Sequence, residues 1–178
     1  MLISTIAVYP QPVNVNEDTH IDSKMLSPYG FNRLKLEQDL QNSFDTTIIR
    51  LPALYGNHLK KNVLFDLLNK QHLEKINTKS TYQFYNLENL SNDIDIALKN
   101  DIKLLNISTA PLKLEELISN CFNFKLKNEE DNPLRSEDML SKFDSIYNKN
   151  NGYLYSKEEV LKDLKMFIKN YSFSMEQK

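Results

Sequence analysis

Residues 27–37 read SPYGFNRLKLE, and the rest of the chain is read outward from them. Proline at a first helical position predicts a helix from about Pro28 to Ser43. Tyr29 stands in its first turn and Arg33 one turn on, so both side chains share a face. A cation beside a phenol favours the phenolate and draws a pKa of about 10 toward the range of an acid/base catalyst. Helices carry such pairs often, so the pair alone specifies nothing. Leu36 and Leu40 lie on the same face, with Phe44 nearby.

Upstream, LISTIAV (Leu2–Val8) is a continuous apolar run, which predicts a strand buried on both faces, as in a parallel sheet. A polar loop containing Pro10 and Pro12 joins it to the helix. Downstream, TTIIRL (Thr46–Leu51) closes a strand–helix–strand unit whose crossover implies parallel pairing. It opens into PALYGNH, at the strand end where open α/β sheets bind ligands. Further helices are expected at Leu59–Lys70, Glu88–Asn100 and Pro111–Phe122, with strands at Tyr82–Leu87 and Lys103–Ser108. The chain turns polar from Asn123 to Gly152, with KNEEDNPLRSED most loop-like and a short helix expected over Ser136–Tyr147. Ser156 and Glu159 form a capping box before a helix striped by Val160, Leu161, Leu164, Phe167 and Ile168. The last seven residues are expected to fray.

The totals narrow the function. A chain of 178 residues makes one domain, or a domain with a small subdomain. At 40% hydrophobic and 26% charged it has an ordinary globular composition. The net charge of −2 and scattered lysines give no basic footprint for nucleic acid. Cys121 has no disulfide partner in the chain, and His20, His58 and His72 are too scattered to suggest a metal centre. No apolar run approaches the roughly 20 residues of a membrane span, and the N-terminus lacks a signal peptide's basic region. The reading is therefore cytoplasmic, without a membrane partner. The 3 glycines, Gly30, Gly56 and Gly152, lie far apart, so neither GxGxxG nor GxxxxGK occurs.

STIAVY, NEDTHI and PYGFNRLKLE, in that order, resemble the extended short-chain dehydrogenase/reductase family, the NAD-dependent epimerases and dehydratases of nucleotide sugars. Its members read as an apolar strand ending in Ser/Thr and VYG, an acidic loop, then PYGxSKxxxE. RLPALYG continues the resemblance; YQFYNLENL and LLNISTAPLKLEEL extend it more loosely, to about Phe122. The resemblance implies an α/β fold: a partial Rossmann-like parallel sheet, the C-terminal half of an extended short-chain dehydrogenase, with a small α+β substrate subdomain. It divides the chain into residues 1–58, the last part of the Rossmann-like domain; 59–135, substrate-side segments interleaved with the sheet; and 136–178, a C-terminal helical segment.

Carried over, the resemblance makes Tyr29 the general acid/base and Thr5 a hydrogen-bond partner of the same substrate oxygen. Arg33 takes the place of a lysine that binds the nicotinamide ribose and lowers the tyrosine pKa. Pro52 falls on the cofactor side, and Ala53, Tyr55 and His58 on the substrate side. The implied cofactor is NAD(P), which supplies the hydride, although its pyrophosphate-binding loop is absent from the chain. The departures are specific. Arginine is a wider, planar donor than lysine. Pro10 replaces the glycine of VYG, and Ala53 replaces an asparagine that contacts substrate in many members. The arginines are Arg33, Arg50 and Arg135, with no evident phosphate-gripping counterpart in the small-domain segment.

Each residue also has a plainer reading. Tyr29 can be a half-buried packing residue, Thr5 an ordinary strand former, and Arg33 a surface cation paired with Glu37. Arg50 reads as one end of a structural ion pair, Tyr9, Tyr55, Tyr82 and Tyr85 as core or cleft-wall aromatics, and His58 as a surface residue. The function expected is an epimerase/dehydratase-type oxidoreductase on a nucleotide-sugar-like substrate, truncated and inactive alone. An open strand edge and an uncovered apolar face call for a cofactor-binding half or a homodimer. Ala53 and the sparse arginines favour an alternative: a non-catalytic sugar-nucleotide-binding or protein-interaction module. A remnant without function is the third account.

Overall fold

The computed structural model describes residues 1–59, 61–126 and 132–176, with side chains of the last helix described to residue 171. In chain order its elements are β1 (Leu2–Thr5), β2 (Val13–Val15), α1 (Pro28–Ser43), β3 (Ile48–Leu51), β4 (Ala53–Tyr55), α2 (Val63–Asn69), β5 (Thr81–Tyr82), β6 (Phe84–Asn86), α3 (Leu90–Lys99), β7 (Leu104–Asn106), β8 (Leu112–Lys113), α4 (Leu114–Cys121), β9 (Asp138–Met139) and α5 (Lys157–Glu176).

The centre is a parallel sheet in the order β1-β3-β7. Leu2 stands opposite Ile48 and Thr5 opposite Leu51, while Arg50 stands opposite Asn106. Side chains alternate across a strand, so the two faces receive different chemistry. Ile49, Leu51, Leu105 and Ile107 point to one face and pack with Ala97 and Ile94 of α3. Arg50, between Ile49 and Leu51, points to the other and meets Glu37 of α1. Helices thus cover both faces, as the unbroken apolar strands predicted.

A second body of core joins Tyr55, Phe84, Leu112 and Leu117 to Leu64 and Leu67 of α2 and to Val160, Leu164 and Ile168 of α5. Short strand pairs tie it to the sheet: β4 with β6 in parallel, β5 with β8 antiparallel, and β2 with β9 in parallel. Gln83, fully buried, joins three of these segments. Its Nε2 donates to the carbonyls of Thr109 (2.5 Å) and Met139 (2.8 Å), and its Oε1 accepts from the Met139 N–H (2.7 Å).

α1 spans the expected residues, with Pro28 at its start and Ser27 Oγ accepting from the Gly30 N–H at 3.2 Å. α5 opens with the predicted capping box: Ser156 N–H donates to Glu159 at 2.6 Å, and Glu159 N–H to Ser156 Oγ at 3.3 Å. Other boundaries differ, for local reasons. The first strand stops at Thr5, whose Oγ1 accepts from the Ala7 N–H at 3.2 Å and starts a 3₁₀ turn over Ile6–Val8. α2 begins at Val63 because Asn62 caps it, accepting from the Phe65 N–H at 3.1 Å. α4 begins at Leu114 rather than Pro111, since Leu112 and Lys113 first pair with β5.

The helix expected over Ser136–Tyr147 is not formed. The N–H groups of Asp138 and Leu140 go to the carbonyls of Pro12 (2.6 Å) and Val15 (2.7 Å), and only Asp144–Tyr147 turns, as 3₁₀. Arg33 is not the partner of Glu37 either. Glu37, 1% exposed, accepts from Arg50 Nη2 at 2.6 Å and Nε at 3.1 Å. The side chains of the last seven residues, where fraying was expected, lie outside the described residues.

Asp93 of α3 is fully buried, and its carboxylate accepts from Tyr85 OH at 2.5 Å and Tyr155 OH at 2.8 Å. Burial pushes its pKa up, against the opposing pull of the tyrosine hydroxyls. A carboxyl with a raised folded-state pKa contributes stability that is complete below its unfolded pKa, about 3.9, and is lost as pH rises through the folded value. In urea unfolding, the midpoint difference between the wild type and Asp93→Asn therefore moves in favour of the wild type as pH falls from about 7 toward about 4. A pH-independent difference would contradict this. Glu37→Ala leaves Arg50 buried without its carboxylate and lowers unfolding stability by about 3–5 kcal/mol, read from the same denaturation curves.

Candidate active site

The position of Tyr29 is set by its neighbour Gly30. Gly30 is buried, and a Cβ there would overlap the Ala7 carbonyl oxygen. Only glycine lets the first turn of α1 lie directly on the 3₁₀ turn that follows β1. This packing places the Tyr29 turn against the 3₁₀ turn that follows the carboxyl end of β1. The predicted one-turn pairing is present: Arg33 Nε donates to Tyr29 OH at 3.5 Å, and its guanidinium carbon stands 5.9 Å from the ring centroid. Tyr29 is 56% exposed, so the pair sits on an open rim. The Thr5 hydroxyl is engaged by Ala7 and not by Tyr29.

The remaining sequence-named positions separate. Pro52 is buried between β3 and β4. Ala53 is half-buried, and its N–H donates to the Gln83 carbonyl at 3.0 Å. Tyr55 is 3% exposed, its ring 5.3 Å from that of Phe167 in the second core, and burial pushes its pKa up. His58 is exposed, in a left-handed backbone conformation at φ 68°. Arg50 closes the structural ion pair expected of it.

A cleft of about 730 Å³ opens beside Ser27, which caps the Tyr29 turn; Thr5, Tyr29 and Arg33 are not among the residues that line it. One wall is the Ile6–Val13 segment with Met25, Leu26 and Ser27, which lead into α1. The other is Lys75, Tyr82 and residues 133–137. Arg135 lies on this wall. Its guanidinium stands 5.9 Å from the Tyr82 ring, and Nη1 is 3.6 Å from Glu137 Oε1. Glu137 is 4% exposed, and its Oε2 accepts from the Gln83 N–H at 3.2 Å. Burial pushes the Glu137 carboxyl pKa up, more than the Gln83 N–H and Arg135 pull it down.

Lys75, Arg135 and Glu137 are the cleft residues that sequence reasoning missed. Arg135 and Glu137 lie within KNEEDNPLRSED, which reads as a solvent loop, and Lys75 within the polar connector QHLEKINTKST, so neither segment carries a local signal. Deeper in the first wall, Tyr9 is 3% exposed. Its hydroxyl accepts from Arg50 Nη1 (2.7 Å) and Asn106 Nδ2 (3.0 Å) and donates to the Asn16 carbonyl (2.8 Å). Tyr9 therefore anchors the wall and is not a free acid. Among the described residues no group of three His, Cys, Asp or Glu side chains is arranged to hold a metal ion, and no helix is long and apolar enough to cross a membrane.

No family model and no curated protein matches the chain. Solved structures do match its fold. A UDP-N-acetylglucosamine 4-epimerase from Methanobrevibacter ruminantium, in complex with UDP-N-acetylmuramic acid, aligns with a TM-score of 0.69 at 14% identity, over 98% of this chain and 62% of that one. A UDP-glucose 4-epimerase with UDP-glucose from Thermotoga maritima aligns with a TM-score of 0.68 at 14% identity, over 97% and 63%. A UDP-glucuronic acid 4-epimerase from Bacillus cereus, in complex with UDP-glucuronic acid and NAD, gives 0.61 at 19% identity, over 94% and 60%. At these identities the likeness is one of fold. The fold is the Rossmann-like α/β fold that the resemblance to extended short-chain dehydrogenases implied. The chain spans about 60% of the length of the structures it matches.

The Gly30 contact yields a direct test. Gly30→Ala must separate α1 from the turn below it, an overpacking cost of about 1–3 kcal/mol. Its melting temperature falls, and its near-UV circular dichroism changes with the surroundings of the nearby tyrosines. An unchanged melt would mean that α1 does not rest on Ala7.

Proposed function

We propose that this chain is the substrate-holding part of an epimerase/dehydratase-type short-chain oxidoreductase, and that its cleft binds a nucleotide sugar. The observation that carries the reading is the cleft itself: it adjoins Ser27, which caps the Tyr29 turn, beyond the carboxyl end of a parallel strand and has Lys75 and Arg135 on its far wall. Cations at that wall suit a diphosphate. Tyr29 exchanges a proton with a sugar hydroxyl, Arg33 donates to the same phenol oxygen, and Thr5, whose Oγ1 accepts from the Ala7 N–H, keeps its own hydrogen to orient the sugar oxygen. When bound, NAD(P) supplies and takes back the hydride.

The residues of this chain fit only the nicotinamide end of such a cofactor. The exposed Tyr29–Arg33 pair can meet a ribose, whereas no glycine-rich turn is available for the pyrophosphate. A cofactor-binding half outside these residues completes the site in this reading. Among the described residues β1 pairs with β3 alone, and Met1 (61% exposed), Tyr29, Phe31 (44%) and Phe44 (65%) are exposed nearby or on α1. A homodimer through α1 is the other way to cover that face. The reading places the protein in the cytoplasm, where nucleotide sugars are handled.

One observation favours a passive sugar-nucleotide-binding module instead: Thr5, Tyr29 and Arg33 are not among the described residues that line the cleft. The two readings separate on Tyr29→Phe. With a cofactor-binding half supplied, this change abolishes turnover and leaves UDP-glucose binding unaltered; the passive module has no turnover to lose. The isolated chain binds UDP-glucose by calorimetry and leaves NADH fluorescence unchanged. Failure to bind UDP or UDP-glucose would overturn the reading, and tight NADH binding would overturn the division of labour.

A further inference from the structure

The cleft is layered in charge. Lys75 and Arg135 are exposed at its mouth, while Glu137, which also lines it, is 4% exposed. Glu137 is fixed from both sides. Its own N–H donates to the Thr81 carbonyl at 3.1 Å, and the Thr81 N–H donates to the Arg135 carbonyl at 2.8 Å. One carboxylate oxygen is held by the Gln83 N–H at 3.2 Å, and Gln83 is itself locked in place by its side-chain amide.

The other oxygen, Oε1, has Arg135 at 3.6 Å, beyond the range of a strong charge-assisted hydrogen bond. An ionised carboxylate has about four acceptor positions. Glu137 is therefore a rigid, underused acceptor lining a space large enough for a ligand. A phosphate or a second carboxylate is repelled from that position. A group rich in hydroxyl or amino donors is drawn to it.

Resting on the nucleotide-sugar reading above, we propose that Glu137 is the specificity residue of the cleft. It accepts hydrogen bonds from the hydroxyl groups of the ligand's sugar, while Arg135 and Lys75 hold the diphosphate at the mouth. The sugar is then a neutral or amino hexose, and a uronic acid is rejected by like charge.

Calorimetric titration of the full chain with UDP, UDP-glucose and UDP-glucuronate tests this. The wild type binds UDP-glucose about tenfold more tightly than UDP-glucuronate, the scale of one charge-assisted hydrogen bond. Glu137→Gln keeps an oxygen for the Gln83 N–H and removes the charge. The variant binds UDP within about twofold of the wild type, and its preference between the two sugars falls below about threefold. Glu137→Asp, which retains the charge, keeps the order of preference.

A wild type that binds both sugars equally, or prefers the uronate, overturns the proposal without reference to any variant. An undiminished preference in a folded Glu137→Gln protein overturns it as well, and leaves the nucleotide-sugar reading standing. If UDP itself does not bind the wild type, that reading falls and takes this proposal with it.

Discussion

The buried ion pair between Arg50 and Glu37 holds the sheet and its helix in one arrangement. Two charges removed from water cost several kcal/mol each, and good geometry with additional hydrogen bonds is needed to offset that cost. Both are present. The guanidinium gives Glu37 a forked contact at 2.6 and 3.1 Å, and its remaining arm reaches Tyr9 OH at 2.7 Å. Tyr9 in turn bonds Asn106 on the neighbouring strand and Asn16 in the polar loop. β3, β7, α1 and the first turn are thereby fixed to one another through charged or strongly polar contacts. Glu37 sits about two helical turns beyond Tyr29, so the register of the candidate acid/base on the sheet is set by this pair.

A second web extends from the same strand. The Asn106 N–H donates to Glu17 Oε1 at 2.8 Å, and Glu17 also accepts from Ser141 Oγ (2.7 Å) and the Lys142 N–H (2.9 Å). Asn106 Nδ2 donates to the Leu140 carbonyl at 3.0 Å. Residues 138–142 thus return across the molecule and bring 133–137, just before them, to the far wall of the cleft. The first wall is built by residues close in sequence to β1, and the second by residues brought back from far along the chain. The first wall includes Ser27, which caps the helix carrying Tyr29, and the second carries Glu137, so the cleft joins segments that are far apart in the chain.

This division also explains what the sequence made legible. α1 was readable because Pro28 marks its start, and α5 because Ser156 and Glu159 are three residues apart in a local motif. The parallel pairing of β1 with β3 followed from two apolar runs flanking a helix. β9 was unreadable: two residues of strand carry no period, and their partners lie beyond Pro12, across most of the chain. The pairing of Glu37 failed similarly. One-turn spacing pointed to Arg33, but burial on the sheet-facing side of α1 gave the carboxylate to Arg50. Arg135 and Glu137 sit in a segment of loop-like composition, where nothing local marks a binding wall.

Gln83 constrains which sequences can adopt this arrangement. Its amide nitrogen gives two hydrogens to two carbonyls, and its oxygen takes one from a backbone N–H, all without access to water. Glutamate in its place would set a carboxylate oxygen against the Thr109 and Met139 carbonyls, and an aliphatic residue would strand all three backbone groups. A shorter amide falls one methylene short. The position therefore admits a single side-chain chemistry at a single length, and drift in the surrounding sequence must proceed around it.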